Sequence, residues 1–188
     1  MMRFPHSFRW LLPALAVLLL LGGSCGPALQ RHFAQGPNTH VYIVRHAEKD
    51  PAPGLADPSL TPAGRARALA LQKELEQYWL SSIFSTNTIR TQATAQPLAE
   101  KLKLPVQPYD ARQLAALASR IRSEYSGRAV LIVGHSNTIL ETVEAFDAAR
   151  PVPAIGDEDY DYLLEVTLPR DSTRAATAVA RRYGLPRR

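Results

Sequence analysis

Two stretches of this chain end an apolar run in a histidine. Val41-Tyr42-Ile43-Val44 breaks into Arg45-His46-Ala47-Glu48-Lys49, and Ala129-Val130-Leu131-Ile132-Val133 breaks into Gly134-His135-Ser136-Asn137. An imidazole with an ordinary pKa near ~6.5 is largely neutral at pH 7, and neighbouring cations hold it so, which makes it a nucleophile as well as a proton carrier. Arginine is a planar fork suited to the oxygens of a carboxylate or a phosphoryl group. A third residue, Arg90, opens a helical pattern directly after a strand pattern, where backbone N–H groups and the helix dipole also favour an anion. The other arginines of the middle of the chain, Arg65, Arg67, Arg120 and Arg122, lie within helical patterns and read as surface residues. Together these residues suit an anion-binding site with a nucleophilic imidazole.

With these residues in this order, the chain resembles the histidine phosphatase superfamily, the phosphoglycerate-mutase-like proteins. The family's opening Arg-His-Gly or Arg-His-Ala stands as Arg45-His46-Ala47. Its Leu-Thr-x-x-Gly helix start matches Leu60-Thr61-Pro62-Ala63-Gly64, its Arg-x-x-x-Thr-Ala segment matches Arg90 to Ala95, and its Gly-His segment matches Gly134-His135. The likeness runs over roughly residues 40 to 168. It implies a metal-independent phosphomonoesterase with no cofactor. His46 would be the nucleophile that becomes phosphohistidine, and Arg45, Arg90 and His135 would bind the phosphate; Asn137 either joins them as a phosphate ligand or caps the next helix. Unaided phosphate-monoester hydrolysis is among the slowest of reactions, with enzymatic accelerations approaching ~10²¹-fold, so such a site must both neutralise a dianion and supply a nucleophile.

The general acid is the least determined role. The family commonly places a Glu or Asp after the third strand, and Asp110 stands there, although it also suits a turn or a helix cap. Glu48 and the cluster Asp157-Glu158-Asp159-Asp161 are the alternatives. Arg67 and Ala93 depart from the family pattern at positions where Gln is common. No long insertion is present to cap the site, which favours a phosphatase over a mutase.

The elements that must hold these residues follow from periodicity. The two histidine-ending runs are buried strands, and in an open α/β sheet ligands bind beyond the carboxyl ends of such strands. Asp50 to Pro58 is too rich in Pro and Gly for regular structure and forms a loop at the mouth of the site. Thr61 as N-cap and Pro62 at the first position start a helix running to about Gln77. A short strand over Ser82–Thr86, a helix from Thr88 to Leu102, an edge strand over Leu104–Tyr109 and a helix from Gln113 to Tyr125 follow. After the second histidine come a helix over Thr138–Ala148 and a last strand over Tyr162–Leu168, with at most a helical turn in the tail from Pro169. Alternating strands and helices predict a three-layer α/β/α sandwich around a mainly parallel sheet.

The 188 residues suffice for one catalytic domain, placed at 40–168 between a linker at 26–39 and a basic tail at 169–188. The formal charge of +5 is concentrated in the two ends, so no basic stripe interleaved with aromatics speaks for nucleic acid. Arg3 and Arg9 precede an apolar run from Leu11 to Leu21 and then Gly22-Gly23-Ser24-Cys25, the pattern of a secretory signal peptide. The single cysteine, Cys25, sits where a bacterial lipoprotein is processed and acylated, although Gly22 replaces the usual Leu; ordinary signal cleavage near Ser24 is the alternative. The expected setting is the bacterial envelope, either the periplasm or a lipid-anchored membrane face. The expected partner is a phosphorylated small molecule or phosphoprotein. A binding module that keeps the cations without turnover is the competing function. A metal hydrolase on His46 and His135 is disfavoured by the flanking arginines and the lack of a short-spaced histidine motif.

Overall fold

The computed structural model describes residues 36–184. Among them six strands form one sheet in the order β3-β2-β4-β1-β5-β6. The strands are β1 (Asn38–Arg45), β2 (Leu80–Ser85), β3 (Val106–Pro108), β4 (Ala129–Gly134), β5 (Tyr162–Pro169) and β6 (Thr177–Arg182). The helices are α1 (Pro62–Leu75), α2 (Ile89–Leu102), α3 (Leu114–Glu124) and α4 (Ile139–Ala145). β1 to β4 run parallel, while β5 and β6 return antiparallel on the β1 side. The sheet is therefore mixed, with a parallel core as the sequence predicts.

The central strands read as continuous apolar runs because both of their faces are covered. Val41, Ile43, Val130, Ile132, Leu164 and Val166 pack with α3 and α4. Their alternates Tyr42, Val44, Leu131, Val133 and Leu163 pack with α1 and α2. Right-handed crossovers account for the division: the chain moves one way across the sheet through α1 and α2, then reverses direction through α3. The reversal makes β1 and β4 adjacent strands whose following helices leave on opposite faces. That is the switch point at which an α/β sheet opens a crevice.

The tail from Pro169 departs from expectation. Instead of a helical turn it supplies β6, paired with β5 from Tyr162↔Arg182 to Thr167↔Thr177. The strand is exposed on alternate residues and built as Thr-Ala-Val-Ala-Arg-Arg, so its period-2 signal lacks the bulky apolar members that mark the inner strands. An Asx turn opens the way, with Asp171 Oδ1 accepting the Thr173 N–H at 3.0 Å. The edge strand β3 and the starts of α1 and α2 lie where the sequence places them, with Thr61 accepting from the Gly64 N–H at 3.0 Å. Cys25 and the leader lie outside the described residues.

Candidate active site

The register Arg45↔Gly134 brings the carboxyl ends of β1 and β4 level, and the His46 N–H continues the ladder onto Gly134 O at 2.9 Å. His46 and His135 thereby face each other with ring centroids 5.5 Å apart. Gly134 lets the side chains behind it come close: a Cβ there would lie 2.9 Å from the Tyr109 hydroxyl and 3.2 Å from Thr138 Oγ1, so both would have to give way. Helix α2 is tied to the same place: the Ala47 N–H donates to Thr94 Oγ1 at 2.9 Å, and Thr94 donates to Arg90 O at 2.7 Å.

His46 is 4% exposed. Its Nδ1–H donates to the Ala47 carbonyl at 2.8 Å, so Nε2 carries the lone pair. Burial above all, and then the charges of Arg45 and Arg90 and the nearby His135, push its pKa down to about 3. At neutral pH it is an uncharged imidazole. His135 is shifted down as well, by burial and then by Arg90 and Arg45, with Asp57 opposing. Its Nε2 meets Thr86 Oγ1 at 2.9 Å. Thr86 donates to Thr91 Oγ1, which donates to the Thr86 carbonyl, so the network assigns the proton of this contact to His135 and leaves Nδ1 without a protein partner.

The two arginines share a pattern. Arg45 commits Nη1 to the carbonyls of Gly156, Asp157 and Asp159, and its guanidinium lies 4.1 Å from the ring centroid of Tyr160. Arg90 commits Nη1 to Asp57 Oδ1 at 3.0 Å. In both, Nε is buried with no hydrogen-bond partner. The Nε/Nη2 edge of each guanidinium is thus the one that protein contacts leave unused. A buried unpaired N–H of a cation is costly, and both of these belong to residues that line one cleft with His46.

These groups line a cleft of about 670 Å³ whose walls include Lys49, Asn137, Asp157, Glu158 and Tyr160 with Arg45, His46, Arg90 and His135. All of the phosphate ligands expected from the sequence, Arg45, Arg90, His135 and Asn137, therefore meet His46. Asp110 is elsewhere. It lies in the adjoining groove beyond His135, its carboxylate gripped by Arg112 at 2.8 to 3.2 Å, and those bonds hold its pKa down to about 2. Glu48 is engaged by Arg67 at 2.7 to 3.0 Å and does not line the cleft. Of the acidic alternatives, Asp157 and Glu158 reach the walls.

Three contributors escape sequence reasoning. Asp57 caps α2 by accepting the Ile89 N–H at 3.0 Å and also holds Arg90 across 33 positions of sequence. Tyr160 covers Arg45 from a loop with no periodic signal, and Lys49 sits inside the first motif without a role of its own there. Among the described residues no group of three or more His, Cys, Asp or Glu is arranged to hold a metal ion.

Residues 41–111 match the histidine phosphatase superfamily, branch 1. No curated protein matches the chain in sequence. The fold is shared with solved structures. A mycobacterial glucosyl-3-phosphoglycerate phosphatase superposes with a TM-score of 0.62 at 15% identity, covering 79% of this chain and 100% of that one. The protein histidine phosphatase SixA, complexed with tungstate, gives 0.59 at 16% identity over 77% of this chain and 95% of that one. Bacillus stearothermophilus YhfR gives 0.54 at 19% identity over 68% and 90%.

Proposed function

We propose that the chain, whose residues 41–111 match the histidine phosphatase superfamily, branch 1, is a metal-independent phosphomonoester hydrolase working through a phosphohistidine on His46. One observation carries the reading: two buried guanidinium Nε–H groups without partners flank an imidazole whose free Nε2 is unprotonated at neutral pH. Arg45 and Arg90 receive the nonbridging oxygens of the phosphoryl group on their Nε/Nη2 edges. Asn137 adds a neutral donor from the wall of the cleft. Burial first and then Arg90 and Arg45 depress His135; a phosphoryl dianion works against that depression and favours the protonated ring, which donates from Nδ1.

His46 Nε2 then forms a bond to phosphorus as the bond to the ester oxygen breaks, and the leaving oxygen takes a proton. Water attacks the phosphohistidine in turn, releases inorganic phosphate and returns His46 to its neutral form. No single carboxyl group is marked out as the proton donor: Asp157 and Glu158 line the cleft, and Asp110 lies in the adjoining groove paired with Arg112. That feature favours a second reading, a phospholigand-binding module without turnover. The substrate class is a phosphorylated small molecule or phosphoprotein that an open cleft admits, as phosphorylated substrates are named for the structural neighbours. We also infer export to the bacterial envelope, with Cys25 acylated.

The deciding experiment is hydrolysis of an aryl phosphate in excess EDTA, with His46→Ala alongside and the phosphoenzyme trapped after an acid-free quench. Turnover that survives EDTA, disappears with His46→Ala and passes through an acid-labile phosphoenzyme is expected. Loss of activity in EDTA would overturn metal independence. Absent turnover with inorganic phosphate still bound would move the assignment to the binding module.

A further inference from the structure

Arg45 is 5% exposed and has no carboxylate partner, yet the proposed chemistry needs its Nε/Nη2 edge held toward the cleft. What fixes it is a turn of backbone. Nη1 donates to the carbonyl oxygens of Gly156 at 3.1 Å, Asp157 at 2.6 Å and Asp159 at 3.4 Å, and the ring of Tyr160 covers the guanidinium plane. Three carbonyls converging on one nitrogen fix which guanidinium edge is left for a ligand. The orientation of Arg45 is thus only as good as the conformation of residues 156–160.

Burial does not explain that conformation, because Gly156, Asp157 and Glu158 are all exposed. The turn is closed by Asp159. Its backbone N–H donates to Gly156 O at 3.0 Å, and its Oδ2 accepts the Gly156 N–H at 2.8 Å. The other oxygen, Oδ1, accepts from Arg182 Nη1 at 3.2 Å, and the same nitrogen pairs with Asp161. Arg182 is in turn fixed on β6: it is the register partner of Tyr162, and its guanidinium lies 3.5 Å from the centroid of that ring. A continuous series of contacts runs from the last strand through Asp159 and the carbonyls of 156–159 to the guanidinium beside His46.

We propose that Arg182 is a positioning residue for Arg45, acting through Asp159 and the turn at 156–159, so that β6 completes the phosphate site without touching it. The proposal rests on the reading of Arg45 as a phosphate ligand given above. It has a chemical signature. Arg182 makes both carboxylate contacts through one nitrogen, so a lysine ammonium, also a single nitrogen with several N–H groups, can take its place. Arg45 works on two edges at once, Nη1 on the carbonyls and Nε/Nη2 on the phosphate, which a lysine cannot reproduce.

The test compares full-length wild type with Arg182→Ala, Arg182→Lys, Arg45→Lys, Asp159→Asn and Arg181→Ala. Arg181→Ala is the control: it lies on the same strand but pairs with Glu74 and Glu165, away from the turn. Three quantities are read: kcat/KM on an aryl phosphate, inhibition by inorganic phosphate, and the ¹H–¹⁵N resonance of Arg45 Nε, assigned from its loss in Arg45→Lys. Arg182→Ala is expected to lower kcat/KM and weaken phosphate inhibition together by roughly tenfold, the scale of a ligand displaced by part of an ångström. It is also expected to shift the Arg45 Nε resonance away from its position under Tyr160. Arg182→Lys restores all three, Arg45→Lys does not restore activity, and Arg181→Ala leaves all three at wild-type values. Asp159→Asn combined with Arg182→Ala is no worse than the more damaging single change, because the two act in series. Unchanged inhibition and an unmoved resonance in Arg182→Ala would overturn the proposal. If wild type neither hydrolyses nor binds phosphate, the functional reading of the site fails, and the Arg45 Nε resonance alone then decides whether Arg182 sets its position.

Discussion

His46 is an imidazole kept neutral chiefly by burial, with the surrounding cations second. That ordering gives a prediction. The ¹H resonances of His46 stay unchanged on titration from pH 8 to pH 4.5, and in Arg45→Ala its pKa rises only part of the way toward the ordinary value. A midpoint near pH 6.5 in wild type would contradict it. The sign for stability follows. A histidine whose folded pKa lies below its unfolded one binds protons in the unfolded chain first, so its neutral state supports the fold fully above about pH 6.5. That support is lost as pH falls toward about 3, the folded value. The denaturation midpoint should drop on going from pH 7 to pH 4.5, and drop less in His46→Gln. Arg90 is the second test at this scale. Arg90→Lys keeps the charge but loses the Nε/Nη2 fork and is expected to lower kcat/KM by about 10²-fold, the usual loss for one preorganised donor to a developing charge. The residues in this constellation were legible from sequence because each stands at a change of composition, where an apolar run meets a cation or an imidazole. The acid was not. Nothing at position 110 announces that Arg112, two residues away, occupies its carboxylate, and nothing near Asp157 places it in the wall of a cleft that begins at position 45.

At the scale of elements, the site depends on how closely α1 and α2 press on the exit of β1. An added Cβ at Gly64 would overlap the Glu48 carbonyl oxygen, which is backbone and cannot swing aside. Gly64→Ala is therefore expected to destabilise the protein by about 3 kcal/mol or more, read by denaturant unfolding, and to lower activity because Ala47 and His46 lie on the displaced segment. A loss under about 1 kcal/mol would show that α1 can retreat without disturbing the site. Most elements were visible in sequence, since N-caps, prolines and apolar periodicity agree over α1, α2, β1 and β4. The strand β6 was not, because a hairpin return made of Thr, Ala, Val and Arg draws its stability from pairing with β5 rather than from a buried face of its own.

At the scale of the whole molecule, the proposed anchor and the cleft can be tested apart. Acylation at Cys25 predicts that the full-length protein partitions with membranes, that Cys25→Ser releases it to the soluble fraction, and that aryl phosphatase activity is the same in both. Membrane retention of Cys25→Ser would assign the anchoring to the apolar run from Leu11 to Leu21 instead. Among the described residues no helix is long and apolar enough to cross a membrane. The three-layer fold could be read in advance from the alternation of strands and helices, and the antiparallel half of the sheet could not, since strand direction on the β1 side depends on how the long connection after α4 returns.

The strand order also carries a consequence in time. Among the described residues β1 is the first strand synthesised, yet its neighbours are β4 and β5, so its hydrogen bonds wait for Ala129–Gly134 and Tyr162–Pro169. Until the ribosome has passed Gly134, Val-Tyr-Ile-Val has no strand to close on. Such non-local pairing slows folding, and an exposed apolar strand in a partly made chain invites aggregation. A chain that cannot close its sheet early stays open through much of its synthesis, and the cleft between the ends of β1 and β4 cannot take shape before Ala129–Gly134 is made.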